Sequence, residues 1–117
     1  MDKKVKLKQL RFRVKNQDIF EAVKNGTKKV ETRAATRKFR DIKRGDCLLL
    51  VCGKEIIKKR VKGVKISKTI KDVLKEYGAE EIIPSAKSLA DLEKICYSFP
   101  DYRRKIKKYG LIALELE

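Results

Sequence analysis

Six consecutive apolar residues, Cys47-Leu48-Leu49-Leu50-Val51-Cys52, sit between two turn signals, Gly45-Asp46 and Gly53-Lys54. The run predicts a strand, and side chains along a strand alternate between its two faces. A strand that is apolar at every position asks for cover on both sides. Gly53-Lys54 fits a tight hairpin turn, from which residues 55–66 return as a second strand. Gly63 within the return strand predicts a bulge or sharp bend of the kind barrels need at their corners. Cys47 and Cys52 have opposite parity and are expected on opposite faces.

The rest of the chain is read around this hairpin. Residues 5–15 alternate, with Leu10, Phe12 and Val14 on one face and Gln9, Arg11 and Arg13 on the other, which is a half-buried strand. Asn16 is placed to cap a helix, with Asp18 in its first turn. Ile19, Phe20 and Val23 form its apolar stripe, and Asn25-Gly26 ends it. Residues 28–33 read as a strand with Val30 inward, and 34–44 as a polar, basic loop. After Ser67, Ile70, Val73, Leu74 and Tyr77 mark a helix stopped by Gly78, followed by a connector with Pro84. Leu89, Leu92, Ile95 and Cys96 mark another helix. Asp101 to Tyr109 follows Pro100 as a short basic one, and Leu111 to Leu116 reads as a last strand. Strands outnumber alternating βαβ units, so a doubly wound sheet is unlike this pattern. The expected architecture is α+β: a closed or half-closed mixed barrel of five to six strands, with flanking helices and the last strand returning near the beginning.

Charge narrows the class of partner. The chain has 117 residues, the usual size of one domain, with 32 Lys/Arg against 16 Asp/Glu and no His. Residues 1–71 hold 24 of the cations and only 7 of the acids, whereas 72–117 are almost balanced. Confinement of the surplus to one part of the chain predicts a positive face, whose natural partners are polyanions. Lys outnumbers Arg 23 to 9, which suits phosphate contact better than base-specific readout. Three cysteines without a C-x-x-C pair or a His offer too few soft ligands for zinc, so no metal or cofactor is expected. Free thiols suit a reducing cytosol. The start, Met1 to Lys6, is charged and lacks the apolar run of a secretory signal, and no stretch nears the ~20 apolar residues of a membrane span. The expectation is a cytoplasmic monomer of one domain, 1–117.

One stretch carries more than composition. Ile19 to Arg33 is a helix ending in Gly, then Gly26-x-Lys28-x-x-Glu31-x-Arg33 entering a strand. Ile42 to Leu48 puts a Gly-Asp turn ahead of an apolar strand, and Lys108 to Leu114 puts Tyr-Gly ahead of the closing one. In order and spacing these pieces resemble the ASCH-domain family over roughly residues 7–116. The resemblance implies a PUA-like barrel with a cleft between the first helix, the signature strand and the loop after it. It also implies an association with RNA or modified nucleobases.

The signature residues admit several roles. Gly26 serves as a helix stop and also lets a ligand approach the backbone. Strand parity puts Lys29, Glu31 and Arg33 on one face and Val30 and Thr32 on the other, with Lys28 still in the loop. Gly26, Lys28, Glu31 and Arg33 are the candidate ligand site: Glu31 would accept from an exocyclic amine while Lys28 or Arg33 holds an anion. Lys28 and Glu31 are also the candidate catalytic pair, should burial shift their titration. A plain salt bridge from Glu31 to Arg33 or a Lys is the third possibility. One branch of the family resembles amidohydrolases acting on acetylated cytidine, with Lys and Thr spaced G-x-K-x-x-T and a Glu further on. Here Glu31 occupies the Thr position, Thr32 is one place off, and the further Glu is Glu76, Glu80 or Glu81. The expected hydroxyl nucleophile is therefore displaced. Other ASCH proteins resemble ribonucleases, but a His-based mechanism is excluded here. Two basic clusters are candidate nucleic-acid contacts: Arg37, Lys38, Phe39, Arg40, Lys43 and Arg44 in the loop, and Lys58, Lys59, Arg60 and Lys62 on the return strand. Phe39 would serve as a base-stacking platform or as a loop anchor. The functional expectation is an RNA- or nucleotide-binding domain. The alternatives are a hydrolase on a modified nucleoside or RNA, or a module meeting an acidic protein.

Overall fold

The computed structural model describes residues 7–117. The charged start and the first two residues of the first expected strand lie outside them. Five strands form one mixed sheet: β1 (Leu7–Phe12), β2 (Val30–Ala34), β3 (Cys47–Cys52), β4 (Glu55–Ser67) and β5 (Leu111–Leu116), in the order β1-β3-β4-β5-β2. β1 pairs with β3 in parallel and the other pairings are antiparallel. Six helices accompany them: α1 (Gln17–Lys24), α2 (Arg37–Arg40), α3 (Ile70–Val73), α4 (Ala79–Ile82), α5 (Leu89–Tyr97) and α6 (Tyr102–Tyr109). The architecture is α+β, a curled half-barrel consistent with the PUA-like expectation.

The hairpin at Gly53 forms as the sequence indicates, and β4 is long enough to serve two partners. Its first half pairs with β3 and its second half with β5. Between the halves the register shifts at Val61/Gly63, which is the anticipated bend. β5 returns to β2 and β4 rather than to β1, and its Leu-Ile-Ala-Leu run is buried throughout. The alternation of β5 explains this. Ile112, Leu114 and Leu116 enter one core with Leu10, Leu48, Leu50 and Phe20. Leu111 and Ala113 enter a second core with Val30 and with Ile82, Leu92 and Ile106 from the helices.

Several local expectations change. β1 stops at Phe12, and Val14 lies in a 3₁₀ turn (Val14–Asn16), exposed rather than inward. Asn16 stands before α1 but makes no cap with its side chain, because its oxygen accepts from Arg13 Nε at 3.1 Å. The basic loop contains α2. The helix expected over Ile70 to Tyr77 is only α3, and a further helix, α4, precedes Pro84. Among the described residues no helix is long and apolar enough to cross a membrane.

Gly110 joins α6 to β5 with a φ of 81°, and a Cβ there would lie 2.4 Å from the Ser67 carbonyl oxygen. Gly45 has a similar φ of 95° but open space around it. A left-handed backbone costs a residue with a Cβ about 1–2 kcal/mol. Gly45→Ala should lose about that much stability in urea denaturation, and Gly110→Ala clearly more. Equal losses would refute the close contact as the second constraint.

Candidate functional site

The sheet order leaves β1 and β2 as its two outer strands, and the curl brings them towards each other. Arg33 of β2 bridges the opening: its Nη1 donates to the Arg11 carbonyl oxygen at 3.0 Å, and its guanidinium lies 4.7 Å from the centre of the Phe12 ring. Beside this bridge is a cleft of about 160 Å³. Arg11, Phe12 and Arg13 border it from β1 and the residue beyond. Glu31, Thr32 and Arg33 border it from β2. Phe99 and Tyr102 form an edge-to-face pair with ring centres 5.3 Å apart, and Arg13 sits 5.3 Å from the Phe99 ring. Ile19 and Asn16 close the α1 side, with Ile83 and Cys96 completing the apolar part.

Glu31 is the buried charge of this cleft, 4% exposed. Its Oε1 accepts from the Thr32 N–H at 3.1 Å and lies 3.2 Å from Lys28 Nζ, and its Oε2 accepts from Arg33 Nη2 at 3.1 Å. A carboxylate offers about four acceptor positions, so one on Oε2 stays open. Burial alone would raise the Glu31 carboxyl, but the Lys28 ammonium and the Arg33 guanidinium outweigh it and hold the group below the usual carboxylate range.

Lys28 stands in the loop between α1 and β2, as parity and the helix stop indicate, but its side chain is sealed. Gly26, at a φ of 83°, turns the chain there, and the Lys28 N–H donates back to Ala22. The ammonium donates to the Val30 carbonyl, to the Ile82 carbonyl at the end of α4, and to Glu31. Three acceptors match its three N–H bonds. Burial pushes its titration below the ordinary lysine range while Glu31 opposes that shift. The two directions pull apart: burial favours a neutral amine, whereas Glu31 is held ionised. The matched donors and the adjacent carboxylate decide for the charged form at neutral pH. Of the four signature residues, then, Glu31 and Arg33 face the cleft, Lys28 backs Glu31 from behind, and Gly26 lies at the other end of α1.

The basic clusters separate in space. Arg40 is tied down, its Nη1 donating to the Ala35 and Tyr109 carbonyls at 3.2 and 3.0 Å. Lys38 is anchored by its backbone, whose carbonyl accepts from Lys8 Nζ at 2.6 Å. Phe39 packs against the first core, with Arg33 and Lys38 near its ring. Arg37, Lys43 and Arg44 are exposed. Lys58 and Arg60 point to the outer face of the sheet, whereas Lys59 and Lys62 line a basic depression of about 220 Å³ with Gly26 and Lys29. Glu76 pairs with Lys65 at 3.6 Å and Glu81 accepts from the Gly78 N–H, so neither borders the cleft, and Glu80 is exposed outside it. Arg13, Asn16, Phe99 and Tyr102 line the cleft without having been marked as site residues by the sequence. The available signal was an aromatic pair straddling Pro100 in an otherwise basic segment.

The chemistry open to the cleft is limited. Burial pushes the Cys96 thiol up to about 11, so at neutral pH it is a protonated, weak nucleophile. It also keeps the Tyr102 phenol protonated. Among the described residues no cluster of Cys, Asp and Glu could hold a metal ion. Lys28 pairs with Glu31 at 3.2 Å but is sealed behind it, so of the two only Glu31 meets a ligand in the cleft.

Removing Lys28 by Lys28→Met leaves two buried carbonyls without a donor, at about 1–3 kcal/mol each. Glu31→Gln leaves two cations facing each other, and breaking a buried pair costs about 3–5 kcal/mol. Both variants should therefore be strongly destabilised in urea. Glu31 titrates lower folded than unfolded, so its contribution is complete above the unfolded value of about 4.3 and disappears as pH falls through the folded value. Stability measured from pH 6 downwards should decline below about pH 4.3 in the native chain, and less steeply in Glu31→Gln. Parallel curves would remove Glu31 from the account.

Comparison with known proteins agrees with this geometry. The family model for the ASCH domain matches residues 16–117. Among solved structures, the chain is similar to hypothetical protein PH0355, with 34% identity, a TM-score of 0.77, and coverage of 93% of this chain and 97% of that one. It is also similar to protein PF0455 from Pyrococcus furiosus, with 31% identity, a TM-score of 0.73, and coverage of 95% and 96%. No curated protein matches. With its family match spanning residues 16–117, the chain belongs to the ASCH domain family.

Proposed function

We propose that this protein binds single-stranded RNA or a nucleotide, and that the cleft between β1, β2, α1 and α6 takes one base. The observation that carries the proposal is Glu31: an ionised carboxylate with one open acceptor position, held at the wall of a cleft that also presents aromatic rings. A planar ring with an exocyclic amine satisfies both features, donating to Glu31 and stacking on Phe99 or Tyr102. Arg13 at the rim suits the attached phosphate. The volume accommodates one flat base rather than a base pair, which fits an unpaired strand. Binding is favoured over proton transfer because Lys28 is sealed and Glu31 is held ionised.

Titration of a labelled oligoribonucleotide at 50 mM and 200 mM salt tests this. Affinity should fall steeply with salt, as counterion release demands. Phe99→Ala should weaken binding about 10-fold or more, given about 1–3 kcal/mol for a stacked base. Arg13→Gln should flatten the salt dependence. A protein that retains neither RNA nor mononucleotide at 50 mM salt would refute the proposal.

A further inference from the structure

β3 is apolar at every position, yet among the described residues no helix covers its second face. Leu48, Leu50 and Cys52 enter the first core beneath α1. Cys47, Leu49 and Val51 point the other way and belong to neither core; Cys47 and Leu49 are half-buried, and Val51 is buried among its strand neighbours. Strand register places their neighbours. Cys47 lies between Leu7 of β1 and Arg60 of β4, Leu49 between Gln9 and Lys58, and Val51 between Arg11 and Ile56. Leu7 and Ile56 are each 59% exposed, although a Leu or an Ile gains by being buried. The face is thus a recessed apolar stripe with an aliphatic side chain and an arginine at each end. It has Lys58 at the middle and no acidic residue at any of its nine positions.

We propose that this outer face of β1, β3 and β4 docks an acidic amphipathic helix of a partner protein. The proposal does not depend on what the cleft binds. Three strands span about 10 Å between the outer two, close to the diameter of an α-helix. Three rows two residues apart run about 14 Å along β3, which is the length of about nine helical residues. A helix of that kind would lay apolar residues along Cys47, Leu49 and Val51 and place carboxylates beside Arg11, Lys58 and Arg60. Charge decides the occupant. Among the described residues, Arg60 alone of these three cations has a carboxylate near it, Glu117 at the long distance of 3.9 Å. A second copy of the chain would set cations against cations. RNA finds no aromatic ring on this face to stack on. A lipid surface needs apolar groups that protrude, whereas the centre of this stripe is recessed between taller neighbours.

The probe is a synthetic 14-residue peptide with Leu on one helical face and Glu on its flanks, followed by fluorescence anisotropy. A scrambled peptide of the same composition controls for net charge. The ordered peptide should bind at least 10-fold more tightly than the scrambled one. Leu49→Ser with Ile56→Ser should bring the two to the same level, and so should Lys58→Glu with Arg60→Glu, whose side chains are exposed and whose fold circular dichroism can verify. Arg103→Gln with Lys107→Gln on α6 should change nothing. Equal binding of ordered and scrambled peptide would overturn the proposal. So would displacement of the peptide by single-stranded RNA, cosedimentation with anionic vesicles that Ile56→Ser abolishes, or a native dimer that Ile56→Ser turns into a monomer.

Discussion

The contact on which the site depends is the buried chain of charges Lys28–Glu31–Arg33. A carboxylate out of water is tolerable only when paired and hydrogen-bonded, and Glu31 has a cation on each oxygen and a backbone N–H besides. Each cation in turn reaches an element distant in sequence. Lys28 holds the end of α4 through Ile82, and Arg33 holds β1 through Arg11. One side chain on β2 therefore organises both the helical layer and the open edge of the sheet. The arrangement also leaves the carboxylate pointing at a cleft, because the cations approach from the core side and along β2. Replacing the chain by apolar residues could preserve the fold, but the cleft would lose Glu31, the only acid among the described residues that line it.

The sheet follows a related logic of two-sided demand. β5 meets it within the chain: its alternate residues enter two cores, one against α1 and the inner sheet, the other against α3 to α6. β3 has the same all-apolar composition, but among the described residues only one of its faces enters a core. The difference lies in where the chain has helices to spend. The helices after Ser67 supply the second core on the β2–β5 half of the sheet, whereas the first core draws on α1 and on Phe39 of α2.

Much of this was legible in the sequence. Gly26, Gly45 and Gly53 mark turns at positive φ, which few other residues take cheaply, and Gly63 marks the bend, where a Cβ would crowd the Glu115 side chain. The five strands follow from alternation or from continuous apolar runs. Other features were illegible for physical reasons. Lys28 carries no mark of burial, because its acceptors include a carbonyl 54 residues away. The helix expected from Ile70 to Tyr77 shortened to one turn, and Tyr77 was drawn to the second core by packing that periodicity does not encode. Val14 continued an alternating pattern beyond the point where β1 ends. Glu31 and Arg33 could be put on one face by parity, but Phe99 and Tyr102 join them only through the tertiary fold.

The uneven charge of the chain has a structural counterpart. Residues 1–71 hold the surplus of cations, and within them lie β1 to β4, α1 and α2. These elements supply the arginines of the cleft, the lysines of the basic depression and the cations of the outer sheet face. The near-neutral remainder supplies α3 to α6 and β5, which chiefly complete the second core. A charge surplus kept only for solubility has no reason to be confined to one part of the chain. Its concentration on the sheet half is what surfaces that attract anions require, and alternation along β4 divides it further. Lys58 and Arg60 go to one side and Lys59 to the other, so one run in the sequence serves two surfaces.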